Sequence, residues 1–117
     1  MLQPGEFVFA TIPGQQPIPK IPVIASIQES EGLTIVVSKQ LAQEQNMHYQ
    51  FVCSWITLQV HSSLDAVGLT AAFSGELSKN GISCNVISGY YHDHIFVGVN
   101  DTEHALQVLQ KLADKNE

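Results

Sequence analysis

His92, Asp93 and His94 place two imidazoles and a carboxylate within three residues, inside the run GYYHDHIFVG. Imidazole nitrogens and carboxylate oxygens are ligands for Zn²⁺ or Fe²⁺, and the same groups can carry protons. Yet two histidines separated by one residue diverge across a tight turn, and Asp is an ordinary turn former. Three roles stay open for the triplet: a hairpin tip, a contact to a bound small molecule, and a metal site. His61 is the next candidate, at the end of the β-rich run Tyr49 to Val60 and just before Ser62 and Asp65. His61 and Asp65 could act as an acid/base pair. The plainer reading makes Ser62 a helix cap and places Asp65 near the positive end of that helix. The SSLDAVG segment contains no G-x-S-x-G nucleophile elbow.

The elements that must position these groups follow from periodicity. FVFATI (Phe7 to Ile12) reads as a strand, and the proline-rich PGQQPIPKIP after it cannot join a central ladder. VIASIQES, a turn at Glu31-Gly32 and the β-branched LTIVV give two more strands, and Ser38 caps a short helix ending at Asn46. Tyr49 to Val60 is either two strands or one strand with a bend. A helix then carries Ala66, Leu69, Phe73 and Leu77 on one stripe and stops at Asn80-Gly81. ISCNVISGYY and IFVGV flank the His-Asp-His motif as strands, with Tyr90 and Tyr91 on opposite faces. Asn100 and Asp101 cap a last helix with Ala105, Leu109 and Leu112 on one side.

From Trp55 onward the order is β, α, β, β, α, a ferredoxin-like βαββαβ unit lacking its last strand. Phe7 to Ile12 is the free candidate to supply it. A weak internal repeat relates IQESEGLTIVVSKQLAQEQ to YYHDHIFVGVNDTEHALQVL, and sets His92-Asp93-His94 opposite the turn Glu29 to Gly32. Two halves are expected, 1–54 and 55–117.

Composition narrows the partners. The 117 residues are 44% hydrophobic, enough for a core without staples, and carry a formal charge of −6 with five Lys and Arg. Phosphate backbones are neutralised by basic surfaces, so a nucleic-acid partner is not expected. Cys53 and Cys84 stand singly in apolar runs and read as buried thiols rather than a zinc knuckle or CxxC pair. Neither a secretory leader nor an apolar span of about 20 residues is legible, so a cytoplasmic protein without membrane contact is expected.

The segment ITLQVHSSLDAVGLTAAFSGELSKNGISCNVIS resembles the core of the ACT domain family: an apolar strand, a loop of small residues, a helix, then G-I-S opening the next strand. Together with EGLTIVV and GYYHDHIFV, the whole chain resembles ACT-like proteins with two fused halves. The resemblance implies an α+β fold with an antiparallel sheet, helices on one face, and two intertwined halves. It implies a non-catalytic regulatory module that needs no cofactor, pairs as a homodimer, and binds an amino acid or related carboxylate metabolite. The ligand loop maps to His61, Ser62, Ser63, Leu64, Val67, Gly68 and Leu69, and the facing strand to Asn85, Val86 and Ile87. This loop reads S-S-L-D-A-V-G where many ligand-binding members have an R-P-G or D-x-P-G turn. The same topology brings His92 and His94 to the end of the sheet that holds the loop. Two other functions remain open: an interaction module that covers its sheet edges with a partner, and a metal-dependent enzyme using His61, His92, Asp93 and His94.

Overall fold

Alternating β-branched and polar residues set the strands, and two short apolar stripes set the helices that cover them. A computed structural model describes residues 1–14, 17, 20–58 and 69–115. The chain divides into two units, Gly5–Cys53 and Met1–Pro4 with Ser54–Glu117.

In the unit Gly5–Cys53 the strands are β1 (Phe7–Pro13), β2 (Ala25–Gln28), β3 (Gly32–Ser38) and the first part of β4 (His48–Thr57). They lie in the order β2-β3-β1-β4, each pair antiparallel. Val8 and Ala10 of β1 share one face with Leu33, Ile35 and Val37 of β3, and Ala42 of helix α1 (Lys39–Glu44) closes over them. Ser38 caps α1 as its hydroxyl position predicts: the Leu41 N–H donates to Ser38 Oγ at 3.1 Å. Cys53 is fully buried, its thiol donating to the Phe7 carbonyl at 3.3 Å.

β4 is one strand with a bend. Phe51 adopts φ 61°, in the left-handed region that bulky side chains avoid, and the β1–β4 register shifts between Phe7 and Phe9. Tyr49 and Val52 consequently pack on the same core although three residues apart. Strict alternation would have sent them to opposite faces.

The second unit contains the end of β4, helix α2 (Leu69–Lys79), β5 (Cys84–Ser88), β6 (Asp93–Gly98) and helix α3 (Thr102–Lys115), with strand order β4-β6-β5. Ile56 and Leu58 of β4, Phe73 and Leu77 of α2, Ile95 and Val97 of β6, and Ala105 and Val108 of α3 form its core. Gly81, at φ 74°, ends α2 as the Asn-Gly pair predicts. A 3₁₀ turn over Val99–Asp101 leads into α3, so Asn100 and Asp101 lie inside helical backbone rather than capping it. Thr102 bonds there instead, its hydroxyl donating to the Val99 carbonyl and accepting from buried Ser54 at 2.6 Å.

Phe7–Pro13 lies beside β4 in the sheet, as expected of the strand that completes the C-terminal βαββα half, and Met1–Gln3 adds a further pairing to the end of β4. Leu2 bridges Ile56, the Gln3 N–H donates to the Trp55 carbonyl, and the Thr57 N–H donates to the Met1 carbonyl, both at 2.9 Å. Phe7–Pro13 pairs with β3 and with His48 to Cys53. Seven consecutive β1 residues match β3, whereas Met1–Gln3 is too short to read as a strand. Among the described residues no helix is long and apolar enough to cross a membrane.

Two glycines test this packing from opposite directions. A Cβ at Gly32 would lie 2.6 Å from the Ile12 carbonyl oxygen, whereas one at Gly75 in α2 would meet nothing within 4 Å. Gly32→Ala is expected to lose about 1–3 kcal/mol, as strained backbone substitutions do. Gly75→Ala should gain up to about 1 kcal/mol from helix propensity. Urea unfolding midpoints of the two variants check both signs.

Candidate functional site

The hairpin between β5 and β6 decides where the His-Asp-His chemistry goes. Ser88 pairs with Asp93, Ile87 with His94, Val86 with Ile95 and Asn85 with Phe96. The turn is therefore Gly89-Tyr90-Tyr91-His92, closed by the Gly89 N–H donating to the His92 carbonyl at 2.9 Å. The turn after β2 has the same closure, with the Glu29 N–H donating to the Gly32 carbonyl at 2.9 Å. The repeat thus aligns Gly89–His92, rather than His92–His94, with Glu29–Gly32. Only His92 of the triplet sits in the turn; Asp93 and His94 begin β6.

This placement moves the tyrosines as well. Tyr90 and Tyr91 do not alternate along a strand but occupy the turn, 76% and 69% exposed, with their rings edge-to-face at 4.8 Å. Gly89 is required beneath them, because a Cβ there would lie 2.9 Å from the His92 carbonyl oxygen and 3.2 Å from His94 Nε2.

Strand alternation separates Asp93 from His94. Asp93 shares the parity of Ile95 and Val97, which face α2 and α3, and it is buried. Its carbonyl accepts from the Leu58 N–H at 2.9 Å, at the point where β4 ends. His94 has the parity of Phe96 and faces away from those helices. Carboxylate and imidazole on opposite sides of one strand cannot share an ion, so the triplet does not converge as a metal set. No group of three or more His, Cys, Asp or Glu among the described residues is arranged to hold a metal.

His94 is instead engaged by β4. Trp55 Nε1–H donates to His94 Nδ1 at 3.0 Å, and Thr57 Oγ1 lies 3.1 Å from the same nitrogen. Gln3 Nε2 donates to Thr57 Oγ1 at 3.0 Å. The Trp55 ring stacks on Phe96, with centroids 6.3 Å apart and planes 19° apart. An indole N–H can only donate, so Nδ1 of His94 is the bare, accepting nitrogen. Burial pulls the His94 pKa below its ordinary value; the charge of neighbouring His92 acts in the same direction, and Asp93 opposes it. His92 is half-buried, and its Nδ1 is shielded from solvent with no hydrogen-bond partner among the described residues.

Of the loop residues expected to meet a ligand, His61, Ser62, Ser63, Leu64, Val67 and Gly68 lie outside the described residues, as do the proposed helix cap and Asp65. Leu69 opens α2. Of the facing strand, Val86 packs on the core while Asn85 is exposed and pairs with Phe96. Thr57, Gln3 and Gly89 were not singled out from sequence. A W-x-T alternation and a glycine before the tyrosine pair carry them, but only cross-strand register shows that they meet His94.

Open depressions lie away from this hairpin. One of about 600 Å³ runs between α2 and β5, lined by Ala71, Ser74, Gly75, Ser78 and Cys84. Another of about 400 Å³ lies in the unit Gly5–Cys53, beside Phe9, Thr11, Thr34, His48 and Gln50. The two thiols are poor nucleophiles: burial pushes Cys53 up to about 12 and also raises Cys84.

Six antiparallel strands with a β-α-β-β-α order define an α+β, ferredoxin-like protein of the regulatory ACT type. ACT domain models match residues 1–54 and residues 50–111, and the chain belongs to the ACT domain family, with two fused halves. Domains of this family are generally small-molecule regulatory modules. One similar crystal structure is VC0802 of Vibrio cholerae, a protein of unknown function called a possible transport protein. It is 44% identical, with TM-score 0.84, over 97% of this chain and 88% of that one. Atu0741 of Agrobacterium tumefaciens shares the fold at 23% identity and TM-score 0.77, over 92% of this chain and 83% of that one. No curated protein matches the chain in sequence.

The two histidines should respond differently to truncation. His94→Ala removes the acceptor of Trp55 and is expected to cost about 1–3 kcal/mol, the penalty for stranding a shielded donor. His92→Ala removes a shielded nitrogen with no partner among the described residues and should be neutral or stabilising by up to about 1–3 kcal/mol. Thermal unfolding of the two single variants separates them, with the larger loss expected for His94→Ala.

Proposed function

We propose that the protein is a non-catalytic regulatory module that binds an amino acid or related small carboxylate at one end of its C-terminal half. The ligand is held between residues His61, Ser62, Ser63, Leu64, Val67, Gly68 and Leu69 and the strand Asn85, Val86 and Ile87, with the β5–β6 hairpin beside them. Function divides between halves 1–54 and 55–117, and the protein works in the cytoplasm as a homodimer without cofactor, nucleic acid or membrane.

The observation that carries this reading is His92 Nδ1, shielded at the hairpin and unpartnered among the described residues. A buried polar atom without a partner costs about 1–3 kcal/mol, which a ligand's polar group would recover. The Leu58 N–H donates to the Asp93 carbonyl, so β4 ends beside the start of β6 and its hairpin. A helix start in such a loop offers N–H groups to a carboxylate. Of the two hairpin histidines, His92 is then the one that meets the ligand, because His94 Nδ1 is committed to Trp55 and Thr57.

A second reading, an interaction module without ligand, is favoured by the Tyr90–Tyr91 pair. Exposed aromatics at a rigid tip are the residues that anchor protein interfaces.

Thermal-shift screening of the amino acids at millimolar concentration tests the first reading. A ligand at 100 times its Kd should add about 2.7 kcal/mol of stability. His92→Ala should retain the fold and lose most of that shift. No shift with any amino acid or carboxylate, together with a stable dimer by light scattering, would favour the interaction module. Loss of partner capture by Tyr90→Ser/Tyr91→Ser would then support it.

A further inference from the structure

We infer that His94 is a proton-operated latch: acid releases the Trp55 indole N–H from the His94 ring of β6. This is independent of the ligand reading above.

The geometry allows only one direction of hydrogen bonding. Gln3 Nε2 donates to Thr57 Oγ1 at 3.0 Å, so the Thr57 hydroxyl is free to give its own proton to His94 Nδ1, 3.1 Å away. Trp55 Nε1 donates to that same nitrogen at 3.0 Å. Two donors thus converge on one lone pair, and the neutral imidazole carries its hydrogen on Nε2. A proton added at Nδ1 sets N–H against N–H at Trp55, which has no capacity to accept. Thr57 must reverse its hydroxyl, and the indole loses its acceptor.

The surroundings of His94 contain little that would hold the added charge. Ile87 faces it from β5, Trp55 and Thr57 from β4, and Gly89 lies under its ring. Among the described residues the titratable neighbours are His92 and Asp93 on its own hairpin. Beyond Thr57 the Met1 nitrogen donates to the Thr57 carbonyl. Asp93 favours protonation from across the strand, while His92 and burial oppose it, and the net direction is downward. An unfolded histidine takes its proton near pH 6.5, the folded one only at lower pH. The contribution to stability is therefore complete above pH 6.5, and it is lost as pH falls through the folded-state value.

Trp55 is the only tryptophan, so its fluorescence reports on the latch. Lowering the pH from 8 to 5 should change emission in one sigmoidal step with a midpoint below 6.5. His94→Gln, which keeps an acceptor for the indole but does not titrate, should abolish the step. His92→Gln should retain it. Long-range ¹H–¹⁵N spectra of the wild type read the tautomer without any variant, and should show His94 Nδ1 unprotonated at neutral pH. Emission independent of pH, a step that survives His94→Gln, or a protonated Nδ1 at neutral pH would each overturn the proposal.

Discussion

The bulge at Phe51 is the constraint on which the site's geometry depends. Up to Tyr49 the odd residues of β4 face the helix-covered core of the unit Gly5–Cys53. After Phe51 the even residues do so in turn: Val52 packs on that core, and Ile56 and Leu58 pack on the core beneath α2 and α3. One extra residue inverts the alternation for the rest of the strand. Trp55 and Thr57 therefore land on the side away from α2 and α3, where they meet His94. Were the strand regular, the indole would enter the core and Ile56 would face outward. The unfavourable φ at Phe51 is offset by placing an apolar series correctly in each of two cores, and its ring lies 6.0 Å from Phe9.

Much of the fold was legible because local pattern and tertiary environment agree. β1 and β3 carry consecutive β-branched and aromatic residues, Ser38 caps a helix with its own hydroxyl, and Phe73 and Leu77 lie one helical turn apart and are both buried. The hairpin tip was not legible for a physical reason. Tyr has high β propensity, so Tyr90-Tyr91 reads as strand, and His-Asp-His reads as the polar interruption. The actual turn is selected by Gly89, whose missing Cβ admits the His92 carbonyl and the His94 ring. Shifting a turn by a few residues changes which side chains it displays, so a candidate ligand set became one turn residue, one buried acid and one sheet-facing imidazole.

The Met1–Gln3 pairing was illegible for a different reason. Three residues carry no usable periodicity, and the bonds that hold them are mainly backbone bonds to Trp55 and Thr57, which any sequence could make. Their specificity comes from Gln3, whose carboxamide finds the Thr57 hydroxyl. That contact becomes readable only once the strands are in register. The internal repeat, by contrast, shows in the residue pattern itself, though its alignment needs the turn closures to fix it.

The two hairpins show how one backbone can serve different chemistry. At the first, the polar groups satisfy each other: Ser30 Oγ donates to Glu31 Oε1 at 2.8 Å, and Thr34 Oγ1 donates to Glu29. That bond to Ser30 holds the Glu31 carboxyl below its usual range, so the turn stays charged and self-contained. At the second, the same closure carries no acid in the turn itself, but two exposed rings and an imidazole with a shielded nitrogen that no described residue satisfies. The first turn asks nothing of a partner. The second keeps two rings largely in solvent and one buried nitrogen unsatisfied among the described residues, and it stands where β4 ends. This asymmetry between halves of matching topology is the strongest physical reason to look for function in the C-terminal one.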